Sequence, residues 1–326
     1  MKILIVGYGS MGKRRMRLLQ KLVRDVSFIC VDNNPVRLLQ VKEDGCRGYE
    51  NLEQALKETP DLAFVCTSPG RHAEIILQLV NAKIDVFTEL NLINKDYDLI
   101  IEQAKKNKVV VFMSSTMLYD KRIEAIDKIV KDHKKPITYI YHVGQYLADW
   151  HPWESYKDFF AGKRETNGIR EIYAIQLPWL INTFGKINEV STVSQKCTDL
   201  EIDFNDSMIA SFKHQTGNIG VFAVDIVSRR ATTYLEIIGQ QIHLFWGGHN
   251  DDLFLYDLDR GMLKQIKAYA SIEHVQGYAD NIIENRYEDE IQDFLNMVYE
   301  HTRPRYSLLD DKYTLKIIDE IEGHIE

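Results

Sequence analysis

The sequence is poor in the residues that build disulfide frameworks and metal centres. Its 326 residues contain four cysteines, Cys30, Cys46, Cys66 and Cys197, and no two of them have C-x-x-C spacing. The ten histidines are scattered and form no compact pair with acids or cysteines at ligand spacing. We therefore expect no bound metal, reduced thiols and a cytoplasmic location.

Positive charge and long hydrophobic runs are also lacking. With 40 Lys and Arg against 48 Asp and Glu, the formal net charge is −8, which argues against a nucleic-acid or anionic-membrane binder. The apolar stretch at the start is too short to span a membrane and follows no basic segment, so neither a membrane span nor an export signal is predicted. The length, with 45% hydrophobic and 27% charged residues, suits a globular protein of two domains.

What the chain does have is a glycine motif between a predicted strand and a predicted helix. The chain begins MKILIVGYGSMG and continues KRRMRLLQKLV. Gly7 and Gly9 permit a tight turn and the close approach of a pyrophosphate, and Gly12 lets the helix pack on the strand. The start of the helix, at Ser10 and Met11, then offers free N–H groups to the phosphates. This arrangement predicts dinucleotide binding rather than a structural glycine turn.

An acid at the end of the next strand indicates which dinucleotide is bound. A second apolar run ends in Asp32, 20 residues after Gly12, where a carboxylate that binds a ribose 2′-hydroxyl is expected. Because this carboxylate would repel the 2′-phosphate of NADP, NAD is the predicted cofactor, and Asn33 is assigned to the same site. Arg37 leaves NADP open as an alternative to NAD, because its guanidinium can fold back over the adenosine. It equally suits a plain surface position.

Strand and helix patterns divide the chain into two parts. Up to Met113 they alternate, which is typical of a parallel sheet covered on both faces. From about Tyr119, strand-like segments follow one another with short turns, which indicates an antiparallel sheet. The predicted fold is therefore α/β, with a Rossmann doubly wound parallel sheet in residues 1–118 and an α+β domain with a large, mainly antiparallel sheet in residues 119–326. The outer face of that second sheet would be large and apolar, so we expect a homodimer or homotetramer formed through it.

The chain resembles a family of dehydrogenases in its glycine motif, its Asp32 strand end, its two-domain order and the segment TSPGRHAE that starts at Thr67. Together these are similar to the glucose-fructose oxidoreductase, inositol dehydrogenase and MocA (Gfo/Idh/MocA) family. The resemblance implies that the segment lies under the dinucleotide and that an acid follows the fifth strand beside the cofactor. The residues it assigns to cofactor binding are Thr67, Ser68, Pro69, His72 and Glu89.

The proton-handling residues that the resemblance implies are absent. Where the family usually has Glu-Lys-Pro, with the lysine as acid or base, this chain has Glu89-Leu90-Asn91. The family's Asp and His on one helix align with Pro178 and with Ile175 or a neighbour. The usual sugar-alcohol dehydrogenase mechanism therefore does not carry over.

The segment GQYLADWHPW, residues 144–153, is dense in aromatic and polar groups. It resembles a stretch in family members associated with sialic-acid-like and other surface-sugar pathways. Indole faces bind the apolar faces of sugar rings, and arginine suits a carboxylate or phosphate. We therefore assign Trp150, Arg170 and Tyr173 to substrate binding, while a packed aromatic corner and internal ion pairs remain alternatives.

Three residues are candidates for the missing acid or base. His151 has the most suitable unperturbed pKa, although it equally suits a structural loop position. Glu171 can serve if burial raises its pKa, and Tyr146 is the third candidate. We predict an NAD-dependent oxidoreductase that acts on a sugar or sugar-derived acid. The alternative is a protein with tightly bound NAD, acting as a lyase, epimerase or hydrolase by transient oxidation or as a non-catalytic sensor or scaffold.

Overall fold

The chain forms two compact units, each built from two separate stretches. The computed structural model describes residues 1–151, 154–249, 251–275 and 282–323. Unit 1 comprises Met1–Thr116 and Tyr287–Tyr313, and unit 2 comprises Met117–Arg286 and Thr314–Glu326. The division predicted from sequence, 1–118 and 119–326, differs because the hydrophobic pattern of a late helix does not show which core it joins.

Strands and helices account for most of both units. The strands are β1 (Lys2–Val6), β2 (Ser27–Val31), β3 (Arg47–Tyr49), β4 (Leu62–Val65), β5 (Asp85–Thr88), β6 (Val111–Met113), β7 (Thr138–Gly144), β8 (Ile187–Gln195), β9 (Ser207–His214), β10 (Ile219–Asp225), β11 (Thr232–Gly239), β12 (Ile242–Trp246), β13 (Leu253–Asp257) and β14 (Met262–Gln265). The α-helices are α1 (Ser10–Leu22), α2 (Pro35–Glu43), α3 (Leu52–Leu56), α4 (His72–Asn81), α5 (Tyr97–Asn107), α6 (Lys121–Asp132), α7 (Gly168–Phe184), α8 (Glu284–Glu300) and α9 (Leu308–Glu322). None of the described helices is both long and apolar enough to cross a membrane.

Unit 1 contains a six-stranded parallel sheet in the order β3-β2-β1-β4-β5-β6. The central strand β1 is almost fully buried from Ile3 to Val6, with at most 3% of any residue exposed. A strand covered on both faces must be apolar at every position, which is why the first residues form a continuous hydrophobic run. The strand order reverses between β1 and β4, and ligands of such sheets bind at the carboxyl ends of the strands beside that point. The predicted Rossmann architecture is confirmed.

A late segment of the chain supplies part of the unit 1 core. Phe294 of α8 packs edge-on against Phe64 and Phe87, with ring centroids 5.4 and 5.6 Å away, and lies 5.7 Å from Phe112. Aromatic clusters of this kind contribute beyond their buried area. This contact explains why the stretch Tyr287–Tyr313 belongs to unit 1.

A buried arginine joins α1 to the same helix. Arg15 is completely buried, and its guanidinium lies 2.6 Å from Glu89 and 2.7 Å from Glu290. Glu290 also accepts hydrogen bonds from the Ser114 hydroxyl and the Ser115 amide, at 2.9 and 2.7 Å. Burial opposes charge on Arg15, but the two carboxylates raise its pKa, so it remains a cation.

Unit 2 contains an eight-stranded sheet in the order β14-β13-β12-β11-β7-β10-β9-β8. Its pairings are antiparallel except for β7 with β10, so the prediction of a large, mainly antiparallel sheet is confirmed. Helix α7 covers one face. Tyr141 of β7 donates a hydrogen bond to Gln176 at 2.8 Å and packs edge-on against Trp179.

The importance of the buried Arg15 cluster can be tested against a matched surface pair. Arg15→Met should lower the free energy of unfolding by about 3–5 kcal/mol, because it leaves two buried carboxylates without their cation. Lys21→Met removes the exposed pair of Lys21 with Glu288, also between α1 and α8, and should cost less than about 1 kcal/mol. Urea unfolding measures both values, and equal losses would contradict the role assigned to Arg15.

Candidate functional site

The glycine turn of unit 1 brings the end of β1 against the start of α1. Gly7 has φ +97°, and a Cβ there would lie 2.7 Å from the Cys66 carbonyl oxygen. A Cβ at Gly12 would lie 2.1 Å from the Gly7 carbonyl oxygen. Both positions therefore require glycine. No side chain caps α1 at Gly9, and its first turn contains no acid, so the first N–H groups of the helix remain available to an anion.

Asp32 is held beside this turn by backbone hydrogen bonds. Asp32 is 5% exposed, and its two side-chain oxygens accept hydrogen bonds from the N–H groups of Tyr8 and Asn34 at 2.7 and 2.8 Å. Asn33, next to it, is exposed. The Arg37 guanidinium lies 3.6 Å from Asp32, so the arginine folds towards the acid rather than away from it. The fixed carboxylate keeps lone pairs for hydroxyl donors, as ribose recognition requires.

Two buried polar atoms without partners lie just beyond β4. The Nε2–H of His72 donates to the Thr67 carbonyl at 2.9 Å, which leaves Nδ1 of the neutral ring as an acceptor. Burial lowers the His72 pKa and so favours that neutral ring. Neither this Nδ1 nor the Thr67 hydroxyl has a hydrogen-bond partner among the described residues. Ser68 is exposed, whereas Pro69 is buried at the start of a short 3₁₀ turn.

The residues after β5 differ in their availability. Glu89 is bound at both oxygens by Arg15, at 2.6 and 3.3 Å, so its carboxylate is committed to an internal ion pair. Asn91 donates to the Tyr97 hydroxyl at 2.8 Å, and Tyr97 in turn donates to buried Asp311. Burial raises the pKa of Asp311 to about 7. Leu90, between Glu89 and Asn91, carries no group that exchanges a proton.

These features fit a dinucleotide. Turn glycines that exclude a Cβ, an uncapped helix start, a fixed carboxylate and unpartnered buried atoms at neighbouring strand ends are what a pyrophosphate and ribose need. Among the described residues, no group of three or more His, Cys, Asp or Glu is placed to hold a metal.

Of the three predicted acid–base residues, Glu171 has a buried side-chain oxygen without a hydrogen-bond partner among the described residues. It lies in the first turn of α7, and Oε2 is buried without a partner among the described residues. Removal from water raises its pKa to about 8. Glu171 as a whole residue is partly exposed, and so is Ile175 one turn later. This side of α7 is therefore partly accessible to solvent.

Two residues assigned to substrate binding are internal in this structure. Arg170 is buried and pairs with Asp319 at 2.6 Å and Glu322 at 2.5 Å. Tyr173 is completely buried and donates to the Phe222 carbonyl at 3.2 Å. The substrate roles given to Arg170 and Tyr173 are not supported by these contacts, because acceptors distant in sequence already satisfy both side chains.

The segment after β7 places the other predicted residues. Nδ1 of His151 donates to Glu154 at 2.6 Å, and the ring lies 4.0 Å from that of Phe159. Trp150 donates to the Gln145 carbonyl at 3.2 Å. The centre of the Tyr146 ring lies 3.6 Å from the guanidinium carbon of Arg229, a residue that no sequence pattern singles out. Pro152 and Trp153 lie outside the described residues.

The fold and the glycine site together define an NAD-binding Rossmann domain of the dehydrogenase type. Residues 1–115 match the sequence model of the Gfo/Idh/MocA oxidoreductase family, described as having an NAD-binding Rossmann fold. This match to the first third of the chain agrees with the family resemblance seen in the sequence, and the prediction of NAD as cofactor is confirmed.

Individual relatives are distant. The chain is 26% identical to myo-inositol 2-dehydrogenase of Thermotoga maritima over 137 residues, which span 40% of this chain and 41% of that protein. An oxidoreductase from Agrobacterium radiobacter, solved with NAD⁺, L-tartaric acid and magnesium, aligns with a TM-score of 0.83 at 14% identity over 98% of this chain and 94% of its own. UDP-N-acetylglucosamine 3-dehydrogenase from Acidithiobacillus ferrooxidans gives 0.77 at 15% identity over 100% and 98%. These two likenesses show that the fold extends over both units.

The ribose assignment can be tested by cofactor preference. Asp32→Ala should weaken NADH binding about tenfold or more and bring the affinities for NADH and NADPH closer together, because the repulsion of a 2′-phosphate is lost while Arg37 remains. Fluorescence titration with both cofactors measures this. Asp98→Ala, which removes an exposed acid paired with Lys312, is the control and should change neither affinity. An unchanged preference in Asp32→Ala would refute the assignment.

Proposed function

We propose that this protein is an NAD-dependent oxidoreductase that acts on a carbon–oxygen bond of a sugar or sugar-derived acid, with Glu171 exchanging the proton. The observation that carries the proposal is the buried, unpartnered Oε2 of Glu171. An unsatisfied buried carboxyl costs stability, and proteins retain such groups where chemistry needs them. The inositol and UDP-N-acetylglucosamine dehydrogenases among the similar proteins support a sugar substrate.

The residues of unit 1 would hold the cofactor. The turn at Gly7 would leave room for the diphosphate, the first N–H groups of α1 would donate hydrogen bonds to it, and the Asp32 carboxylate would accept hydrogen bonds from the ribose hydroxyls. When bound, the nicotinamide supplies or accepts the hydride. Thr67 and His72 provide the hydroxyl and the ring nitrogen that remain unpaired at the neighbouring strand end.

Glu171 has the proton affinity that this reaction requires. With a pKa of about 8 it is mostly protonated at neutral pH and can give a proton to a carbonyl oxygen as that oxygen becomes a hydroxyl. In the opposite direction its ionised form takes the hydroxyl proton. Reduction should therefore slow as the pH rises through about 8, and oxidation should speed up over the same range.

The rival candidates are less suited to the task. His151 already donates to Glu154, and Tyr146 lies beneath a guanidinium. Leu90 occupies the position where the family resemblance implies a lysine. The absence of this lysine also favours a second candidate function, in which tightly held NAD oxidises the substrate only transiently. Purified protein that retains NAD without net consumption would indicate this function.

We further propose that the protein acts in the cytoplasm as a homo-oligomer formed through the unit 2 sheet. All four cysteines are free, as a reducing compartment requires. The sheet face opposite α7 exposes a set of large apolar side chains that are 40–68% accessible. They are Ile140, Val193, Ile209, Ile219, Tyr234 and Ile238. An apolar face of this kind is suited to self-association.

The role of Glu171 predicts opposite effects on activity and stability. Glu171→Gln should lower turnover about 10²–10⁴-fold, measured as NADH oxidation or NAD reduction with a panel of inositols, uronic acids and nucleotide sugars. It should also raise the free energy of unfolding by about 1–3 kcal/mol at pH 9, where the wild type must keep a buried anion. Because the folded-state pKa of Glu171 is raised, the free energy of unfolding of the wild type falls as the pH rises from about 4.5 to about 8. The glutamine variant cannot ionise at this position and does not lose stability in this way.

Matched variants keep that test specific. Glu165→Gln changes an exposed acid just before α7 and should alter neither property. His151→Ala should retain turnover. If His151→Ala abolishes activity while Glu171→Gln keeps it, the assignment of the proton donor is wrong.

The oligomer proposal is tested by one substitution on the open sheet face. Ile140→Glu should convert the oligomer to monomers in size-exclusion chromatography with light scattering, because it places a charge in the apolar contact. Val36→Glu, at an exposed position of unit 1, should leave the mass unchanged. A monomeric wild type at tens of micromolar would contradict the proposal.

A further inference from the structure

The segment that follows β7 is fixed to the loop that joins β10 to β11. The Gln145 amide donates to the Asp225 carbonyl at 3.2 Å, and the Leu147 amide donates to the Ile226 carbonyl at 2.9 Å. Tyr146, between these two anchors, therefore has a defined backbone position. The loop beyond Ile226 lies directly against it.

Asp225 shapes that loop. One oxygen accepts the amides of Val227 and Ser228 at 3.0 and 2.7 Å, and the other accepts the Ser228 hydroxyl and Nε2–H of His142 at 3.0 and 2.7 Å. Four donors hold the carboxylate in place. It is thereby committed to the turn that presents the next residue, Arg229.

Arg229 is a cation stacked on an aromatic ring, with no acidic partner in the part of the chain that the structure describes. Its guanidinium carbon lies 3.6 Å from the centre of the Tyr146 ring. Arg229 is exposed, and none of the described carboxylates lies within ion-pair distance of it. A stacked guanidinium keeps its N–H edges free, and these edges match the two oxygens of a carboxylate or a phosphate.

The same segment packs against the start of α7. A Cβ added to Gly168, the first residue of α7, would lie 3.1 Å from the Trp150 indole and 3.1 Å from the Ile226 side chain. It would lie 3.4 Å from Leu147, the residue after Tyr146. Glu171 follows Gly168 by less than one turn of helix. The stacked arginine and the unpartnered acid thus belong to one neighbourhood of unit 2.

We propose that Arg229, held over Tyr146, binds an anionic group of the substrate, so that the substrate is a sugar carrying a carboxylate or a phosphate. This inference rests on the proposed function, since it names the substrate class of the site that contains Glu171. It assigns recognition to Arg229 in place of Arg170, whose charge Asp319 and Glu322 already neutralise.

Equilibrium binding tests the inference without any need for turnover. The full-length protein, saturated with NAD⁺ so that the dinucleotide site is filled, is titrated by calorimetry with glucuronate, with UDP and with neutral glucose. We expect binding of glucuronate if the anion is a carboxylate, or of UDP if it is a phosphate, with glucose binding much more weakly. Arg229→Ala should weaken the productive anion about tenfold or more, and Arg229→Lys should restore only part of that loss.

The neighbouring arginine gives a matched control. Arg230 is exposed in the same loop, and no aromatic ring or carboxylate of the described residues contacts its guanidinium. Arg230→Ala should change anion affinity less than twofold, and all variants should bind NAD⁺ as the wild type does. Equal losses in Arg229→Ala and Arg230→Ala would overturn the inference in favour of diffuse positive charge. So would an unaffected Arg229→Ala, or a wild type that binds NAD⁺ but neither anion.

These outcomes remain separate from the proposed function. Anion binding that depends on Arg229, together with unchanged turnover in Glu171→Gln, would leave the subsite and refute the proton donor. If turnover depends on Glu171 but anion binding does not depend on Arg229, the proton donor stands and the anion subsite is refuted.

Discussion

The contact between Gly7 and Gly12 is the constraint on which the site in unit 1 depends. A Cβ at Gly12 would lie 2.1 Å from the Gly7 carbonyl oxygen, so α1 is able to approach the end of β1 only because this side chain is absent. That approach places an uncapped helix start beside Asp32. The Asp32 carboxylate accepts a hydrogen bond from the amide of Tyr8, which lies in the same glycine turn. The free N–H groups and the fixed acid are therefore consequences of one close contact, and they are the features that suit a dinucleotide.

Buried acids are treated differently in different parts of the molecule. Glu89 and Glu290 share the Arg15 guanidinium, and Asp120 accepts hydrogen bonds from Arg122. Oε2 of Glu171 has no such partner within the described ranges, and burial raises the pKa of this carboxyl. Glu89, Glu290 and Asp120 are thus neutralised by arginines, whereas the environment of Glu171 favours its uncharged form.

The local features of the fold were predictable from sequence, and the long-range ones were not. The glycine turn, Asp32 and the alternation of strands and helices follow from short-range patterns, and the structure bears out the sheet types that these patterns predict. The three-residue strand β3 and the four-residue strand β14 are too short to give a periodic signal. The return of Phe294 to the unit 1 core depends on contacts with residues about 200 positions earlier, which no local pattern shows.

The candidate site shows the same limit. The acid–base role predicted for Glu171 depends on burial, and the structure buries its Oε2; the role itself stays a prediction. The suitability of arginine for a carboxylate predicts a substrate role for Arg170, but its partners Asp319 and Glu322 lie about 150 residues away in the sequence, where no local pattern reveals them. Arg229 was missed because only the folded loops bring it over Tyr146.

Binding of NAD at the glycine turn of unit 1 is measured directly by calorimetric titration of cofactor-free protein with NADH. We expect saturable heat with one NADH bound per chain at micromolar to submillimolar affinity. Absence of any binding heat up to several millimolar NADH, with the protein shown to be folded, would contradict it.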